Sequence, residues 1–123
     1  MRRVHGANTG PEKKVRKLVS ALGVTYRLNR KNLPGSPDIV LSGRKKIIFV
    51  HGCFWHGHNC VRGARVPKRN RAYWQAKIAR NVSRDRKSIR ALRTMGWGVM
   101  VIWECALPKP DALRRRLQRF LMV

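Results

Sequence analysis

The stretch Lys45–Cys60, KKIIFVHGCFWHGHNC, decides the fold, because a buried strand leads directly into a cluster of histidines and cysteines. The apolar residues 47–50 predict this strand, and Gly52 ends it. A second apolar run at residues 97–103 predicts another buried strand, and it is also followed closely by a cysteine. Side chains that can bind metal therefore follow both buried strands.

One histidine and the three cysteines form a complete ligand set for a tetrahedral zinc ion. The set comprises Cys53, His58, Cys60 and Cys105, and it uses all 3 cysteines of the chain. Four protein ligands indicate a closed structural site rather than a catalytic site with an open position. The alternative is that the cysteines are inert core residues. His51 and His56 remain beside the set, so the zinc loop is expected to support an active site.

Charge and length define the class of partner. The chain has 123 residues, with 29 Lys plus Arg against 5 Asp plus Glu, and its formal net charge is +24. One domain over residues 1–123 is expected, with residues 1–10 as a loose N-terminal arm. Folded domains this basic bind nucleic acid, because Lys and Arg displace counterions from phosphates. Without a signal peptide or a long apolar span, we expect a soluble cytoplasmic protein with no membrane partner.

The apolar periodicity predicts the element order α-β-β-β-α-β-α, which indicates an α/β sandwich around a mixed sheet. The predicted bounds are a helix from Pro11 to Gly23, strands at 24–28, 38–41 and 45–50, a helix at 70–95, a strand at 97–103 and a last helix capped by Asp111.

Asp38 follows a proline at the start of a strand, as in the PD-(D/E)xK arrangement of nucleases. Mg²⁺ prefers oxygen ligands, so one carboxylate and a backbone carbonyl can hold it together with substrate phosphate. The second half of that motif differs here, because residues 49–51 are Phe-Val-His. An aspartate after proline is also a common turn residue.

The long helix carries an acid on its apolar face. Counted from Trp74 at 100° per residue, the apolar side chains fall within about 80°, and Asp85 falls at about 20°. An acid in that position needs a partner. A histidine of the zinc loop and a salt bridge to a neighbouring arginine both satisfy this requirement. Phe54 and Trp55 in the zinc loop and Trp74 at the helix start are either core residues or a wedge that enters the DNA base stack.

Five segments together resemble the very-short-patch-repair (Vsr) mismatch endonuclease family, over about residues 5–107. They are GANTGPEKKVRKL (6–18), LPGSPDIV (33–40), IIFVHGCFWHGHNC (47–60), WQAKIARNVSRDR (74–86) and LRTMGWGVMVIWECAL (92–107). The resemblance implies a restriction-endonuclease-like three-layer sandwich with a structural zinc ion. It also implies a Mg²⁺-dependent nick in one strand of double-stranded DNA, 5′ to the T of a T·G mismatch.

The resemblance further implies individual roles at the matching positions. Asp38 and the carbonyl of Val50 would hold Mg²⁺, and Glu12 would support the metal-bound waters. His56 would be the general base, His51 would assist at the metal and phosphate, and Asp85 would orient His56. The wedge would consist of Phe54, Trp55 and Trp74. A monomer that works with other repair proteins is expected. The alternatives are a related nicking nuclease without mismatch specificity and a non-enzymatic basic zinc module that binds nucleic acid.

Overall fold

The computed structural model describes residues 10–28, 32–53, 56, 58, 60 and 67–122. Within these residues the predicted order of helices and strands is confirmed. The helices are α1 (Gly10–Ala21), α2 (Arg71–Thr94) and α3 (Pro110–Leu121), and the strands are β1 (Arg27–Leu28), β2 (Ile39–Leu41), β3 (Lys46–His51) and β4 (Gly98–Trp103).

The four strands form one mixed sheet in the order β1-β2-β3-β4. The first two pairings are antiparallel, whereas β3 and β4 are parallel and pair in register from Lys46 with Gly98 to His51 with Trp103. Parallel strands end at the same edge of a sheet, and this pair is joined by a helix, as such crossovers usually are. The segments that follow His51 and Trp103 therefore begin side by side.

Apolar side chains on the two faces of the sheet build two core layers. One layer packs strand residues such as Ile39, Ile48 and Ile102 against α1 and α3. The other layer packs the strand residues that point to the opposite face of the sheet, such as Ile47, against Leu92 of α2. This alternation follows from the two-residue side-chain period of a strand. The described chain is thus an α/β protein with a helical layer on each face of a mixed sheet.

Two predicted boundaries were wrong in detail. The strand expected at 24–28 is shortened to β1, because only Arg27 and Leu28 pair with β2 in the described sheet. Asp111 does not cap α3, which begins at Pro110 and has Asp111 in its first turn without a capping hydrogen bond. Proline has a fixed φ suited to the first helical position, so the helix starts before the aspartate.

The long helix α2 packs unevenly on the sheet. Leu92 near its C-terminus is its fully buried residue, whereas Ile78 and Val82 in its first half are only partly buried. Gly96 follows with a φ of +94°, which ends the helix region as the sequence predicts. The first half of α2 therefore contributes less to the sheet core than its C-terminal end does. No helix of the described residues is long and apolar enough to cross a membrane.

Candidate active site and metal centre

Three thiols and one imidazole converge beyond the ends of β3 and β4. The ligand atoms of Cys53, His58, Cys60 and Cys105 all lie within 4.8 Å of one another. The loop is shaped by local hydrogen bonds, since the N–H of His58 donates to the carbonyl of Cys53 at 3.0 Å and that of Cys60 to His58 at 2.9 Å. Cys105 lies in the 3-10 turn after β4, and its Sγ is 3.5 Å from Nδ1 of His58.

The electrostatics of this cluster favour a bound cation. Cys53 is fully buried. Burial raises the pKa of the Cys53 thiol to about 12, and the neighbouring thiols of Cys60 and Cys105 contribute to the same shift. Thiols bind metal as thiolates, so they must lose their protons. A cation at the centre would stabilise the thiolates and lower the pKa that burial raises. The sequence-predicted set is therefore brought together as a cluster that could hold a metal ion.

A histidine and an acid from distant parts of the chain meet beside this cluster. Nδ1 of His56, in the loop, lies 2.5 Å from Oδ2 of Asp85 on α2, and both side chains are about three-quarters buried. A carboxylate at Nδ1 fixes the tautomer with the proton on that nitrogen and leaves Nε2 as the basic atom. Of the two partners that the sequence allows for Asp85, the structure selects the histidine.

His51 lies against His56 as a parallel stacked ring. Their centroids are 3.8 Å apart with an interplanar angle of 2°. Burial lowers the pKa of His51 to about 4, with a further contribution from His56. His51 is thus neutral at pH 7 and can act through hydrogen bonds, not as a cation. Its Nδ1 is buried without a hydrogen-bond partner among the described residues, so the ring has unused donor or acceptor capacity.

His51, His56 and Asp85 also fit the general requirements of a second metal site, because their ligand atoms lie within 4.8 Å of one another. However, the close His56–Asp85 hydrogen bond already uses one atom from each of two members. This arrangement is typical of an acid that orients a histidine for proton transfer.

Two carboxyl groups, one partly buried (Asp38) and one buried (Glu12), complete the site. The N–H of Val50 donates to Oδ2 of Asp38 at 2.7 Å, so the residue before β2 meets the backbone of β3 as the sequence predicts. Glu12, in the first turn of α1, is only 2% exposed. Burial raises the pKa of Asp38 to about 6, and the charge of Glu12 raises it while that of His56 lowers it. A cation would relieve the repulsion between the two acids, which fits a divalent metal bound by oxygen atoms.

Trp103 is a site residue that the sequence reasoning missed. It is the last residue of β4, and its ring stacks on His58 with centroids 4.1 Å apart and an interplanar angle of 13°. It also meets His51 and His56 edge-on, at 5.2 and 6.3 Å. Trp103 therefore contacts both the metal cluster and the histidine pair. The sequence does contain a feature that could have identified Trp103 as a site residue. It lies at the end of a predicted buried strand, two residues before Cys105.

The predicted wedge residues are only partly within the described structure. Phe54 and Trp55 lie outside the described residues. Trp74 is in the first turn of α2, is partly buried, and contacts the ring of Tyr73 at 5.1 Å in an edge-on geometry. A tryptophan at this position is compatible with both a core contact and a role at a surface.

The chain is very basic and has an α/β fold, two acids at one site and a histidine–aspartate couple beside them. These features are typical of an enzyme that cleaves phosphodiester bonds in nucleic acid. Residues 1–62 match the family described as DNA mismatch endonuclease Vsr. The chain is 48% identical over 121 residues to the type II nicking enzyme V.XorIIP of Xanthomonas oryzae pv. oryzae, which covers 98% of this chain and 88% of that protein.

Two further relatives agree. The type II nicking enzyme V.NmeAIP of Neisseria meningitidis serogroup A is 44% identical over 98% of this chain and 86% of its own length. The DNA mismatch endonuclease Vsr of Escherichia coli K12 is 38% identical over 98% of this chain and 80% of its own length. The chain belongs to the Vsr family of DNA mismatch endonucleases, and the predicted resemblance is confirmed.

Proposed function

We propose that this protein is a Mg²⁺-dependent endonuclease of restriction-endonuclease-like fold that nicks one strand of duplex DNA 5′ to the T of a T·G mismatch. The observation that carries the proposal is the set of contacts that brings Asp38 to the His56–Asp85 couple. Asp38 accepts a hydrogen bond from the N–H of Val50, and the next residue, His51, stacks on His56. The Asp38 carboxylate suits a divalent cation, and the couple suits proton transfer from water. The names of the relatives, a mismatch endonuclease and nicking enzymes, support the same reaction.

Asp38 and the backbone carbonyl of Val50 would hold the metal ion, with Glu12 binding its outer waters. Support comes from the short contact between Asp38 and the backbone of Val50, and from the charge of Glu12, which raises the pKa of Asp38. When bound, Mg²⁺ would polarise the phosphodiester and stabilise the departing 3′ oxygen.

His56 would act as the general base. Asp85 accepts the hydrogen bond from Nδ1, so Nε2 carries the lone pair that takes a proton from the attacking water. Attack on phosphorus would leave a 5′ phosphate and a 3′ hydroxyl. His51, held neutral by burial, would donate a hydrogen bond to the phosphate or to a water molecule beside it.

The four-ligand cluster would bind one Zn²⁺ ion with a structural role. Three thiolates and an imidazole are the soft ligand set that zinc prefers, and no position is left open for substrate. Its function would be to tie the loop that carries His56 to the end of β4 through Cys105. Phe54, Trp55 and Trp74 would enter the base stack at the mismatch, where unstacking costs less than at a Watson–Crick pair.

End-labelled duplexes that differ only in one base pair test the proposal. We expect a single nick in the T strand of a T·G duplex with Mg²⁺, little nicking of the T·A duplex, and no product without divalent metal. The His56→Ala variant, purified in parallel, controls for contaminating nucleases. Equal nicking of both duplexes would favour a nicking nuclease without mismatch specificity. Tight DNA binding with no Mg²⁺-dependent product would favour a non-enzymatic zinc module.

A further inference from the structure

An open groove of about 560 Å³ runs along one flank of α2, adjacent to the proposed catalytic residues but lined by none of them. Its walls are arginine-rich; we call it the arginine groove, and its lining residues are Arg86, Ile89, Arg90, Arg93 and Thr94. The three arginine side chains are exposed, whereas Ile89 is partly buried and forms the floor. Within the part of the chain that the structure describes, no ion pair involves these arginines.

The groove has a defined position relative to the sheet. At 100° per residue from Trp74, the three arginines lie at about 100–160°, on one side of the inner face that carries Asp85. Ser88 lies on the other side, where it meets the loop before β2 at Gly35. The arginine groove therefore lies on the flank of α2 that is turned away from Gly35.

The groove begins where the active site ends. Arg86 directly follows Asp85, which holds the proposed general base, and the arginines then continue toward the C-terminus of α2. Arg86 and Arg93 are about 10.5 Å apart along the helix at 1.5 Å per residue. One DNA strand carries a phosphate about every 3.4 Å of duplex axis, so the arginines span about three phosphate steps.

We propose that the arginine groove binds the sugar–phosphate backbone of DNA on one flank of the cleavage site, as a contact surface separate from the catalytic residues. The partner follows from charge and shape. Unpaired guanidinium groups along an open groove match a regularly spaced row of phosphates. The inference rests on the proposed function for its choice of DNA as partner, but it requires neither catalysis nor mismatch recognition.

Salt-dependent binding to a fully paired duplex in Mg²⁺-free buffer tests the proposal. The groove variant is Arg86→Gln/Arg90→Gln/Arg93→Gln, and its matched control is Arg115→Gln/Arg116→Gln/Arg119→Gln on the exposed face of α3. Both variants change the net charge by the same amount. Since each phosphate contact contributes about 0.9 to the slope of log Kd against log salt, we expect the slope to fall by about 2–3 in the groove variant. In the α3 control variant the slope should fall by less than about 0.9, the value of one phosphate contact.

Shortening the duplex locates the contact. With the wild-type protein, removing about three base pairs from one flank should raise Kd by about tenfold, and removing them from the other flank should change it little. The groove variant should be insensitive to both truncations. Equal slopes for the groove and α3 variants, or equal sensitivity to both flanks, would overturn the proposal and leave only general electrostatic attraction. Because no cleavage is measured, these results stand even if the nicking assay fails.

Discussion

Nδ1 of His56 lies 2.5 Å from Oδ2 of Asp85, so an acid on the inner face of a long helix holds a histidine that comes 29 residues earlier in the chain. This contact explains why a carboxylate occupies a stripe of otherwise apolar residues on α2. The helix contributes a fully buried residue to the core only near its C-terminus, and its middle places Asp85 against His56.

Asp85→Asn should reduce the single-turnover rate of nicking by about 10²–10⁴-fold, because an amide can offer its N–H₂ to His56 and favour the wrong tautomer. Binding of DNA and the melting temperature should change little. Asp111→Asn is the matched control, since it makes the same chemical change on an acid that is 84% exposed in α3. A nicking rate for Asp85→Asn equal to that of Asp111→Asn would remove Asp85 from the mechanism.

The raised pKa of Asp38 predicts a pH-dependent cost to stability. Its pKa is about 6 in the folded chain against 3.8 ordinarily, so the folded state retains the proton longer than the unfolded state. Stability without Mg²⁺ should therefore fall as the pH rises from about 4 to about 6 and then level off. At pH 7 the cost is up to about 3 kcal/mol at 1.36 kcal/mol per pKa unit.

Asp38→Asn should abolish nicking yet stabilise the Mg²⁺-free protein at pH 7, with the gain vanishing near pH 4. Urea unfolding across this pH range measures both effects. Added Mg²⁺ should stabilise the wild type and not the variant, since a ligand that binds only the folded state shifts the equilibrium toward it. Near-normal nicking by Asp38→Asn, or equal stabilisation of both proteins by Mg²⁺, would show that this carboxylate is not the metal ligand. An unchanged pH profile would contradict the raised pKa.

Local chemistry made much of this site predictable. Continuous apolar runs mark β3 and β4. The three cysteines cluster with histidines just after these runs, so metal binding is the simplest interpretation of them. Helical periodicity placed Asp85 on the inner face of α2, but it could not say which group faces it. That choice depends on how the loop after β3 returns over the helix.

Two features depend on how the strands pair, and the sequence could not predict them. In the sequence, Trp103 is indistinguishable from the other apolar residues of its strand. The parallel pairing of His51 with Trp103 brings the Trp103 ring into contact with three histidines. The short β1 was also beyond local prediction, because its extent depends on its pairing with β2, which involves only Arg27 and Leu28. Both features arise from contacts between segments that are distant in sequence.

The Cys105→Ser variant should lose bound zinc and unfold at a lower temperature than the wild type. Cys105 links the loop after β3 to the end of β4, and a structural metal contributes its binding free energy to folding. Elemental analysis should give one zinc per wild-type chain and much less in the variant. Ala106→Ser, a hydroxyl introduced at the next residue, controls for local disturbance. Folded, fully active wild-type protein without zinc would contradict the structural role.

Trp74→Ala should lower the ratio of T·G to T·A nicking more than it lowers stability, if this side chain enters the base stack. Trp97→Ala is the control, because Trp97 packs against the core layer beneath α2. Loss of a core tryptophan costs about 3–5 kcal/mol and should leave the ratio unchanged. Phe54→Ala and Trp55→Ala should behave like Trp74→Ala. A large drop in melting temperature with an unchanged ratio would identify Trp74 as a core residue.

Trp103 should position the histidine pair without touching the substrate. Its ring stacks on His58 and meets the edges of His51 and His56, so a smaller side chain would free the imidazoles to shift. A displacement of about 1 Å can cost about 10²-fold in rate, so Trp103→Leu should reduce kcat by that order with little change in KM.

Trp103→Phe should recover much of the lost rate, because a phenyl ring restores the stacking surface on His58. Zinc content and melting temperature, measured on the same samples, separate a shifted active site from a lost metal. Trp97→Phe is the same replacement at the residue just before β4, and it should leave kcat unchanged. If Trp103→Leu retains zinc and nicks at the wild-type rate, the ring contacts serve packing alone. If its rate falls only in proportion to lost zinc, Trp103 acts through the metal cluster and not on the histidines.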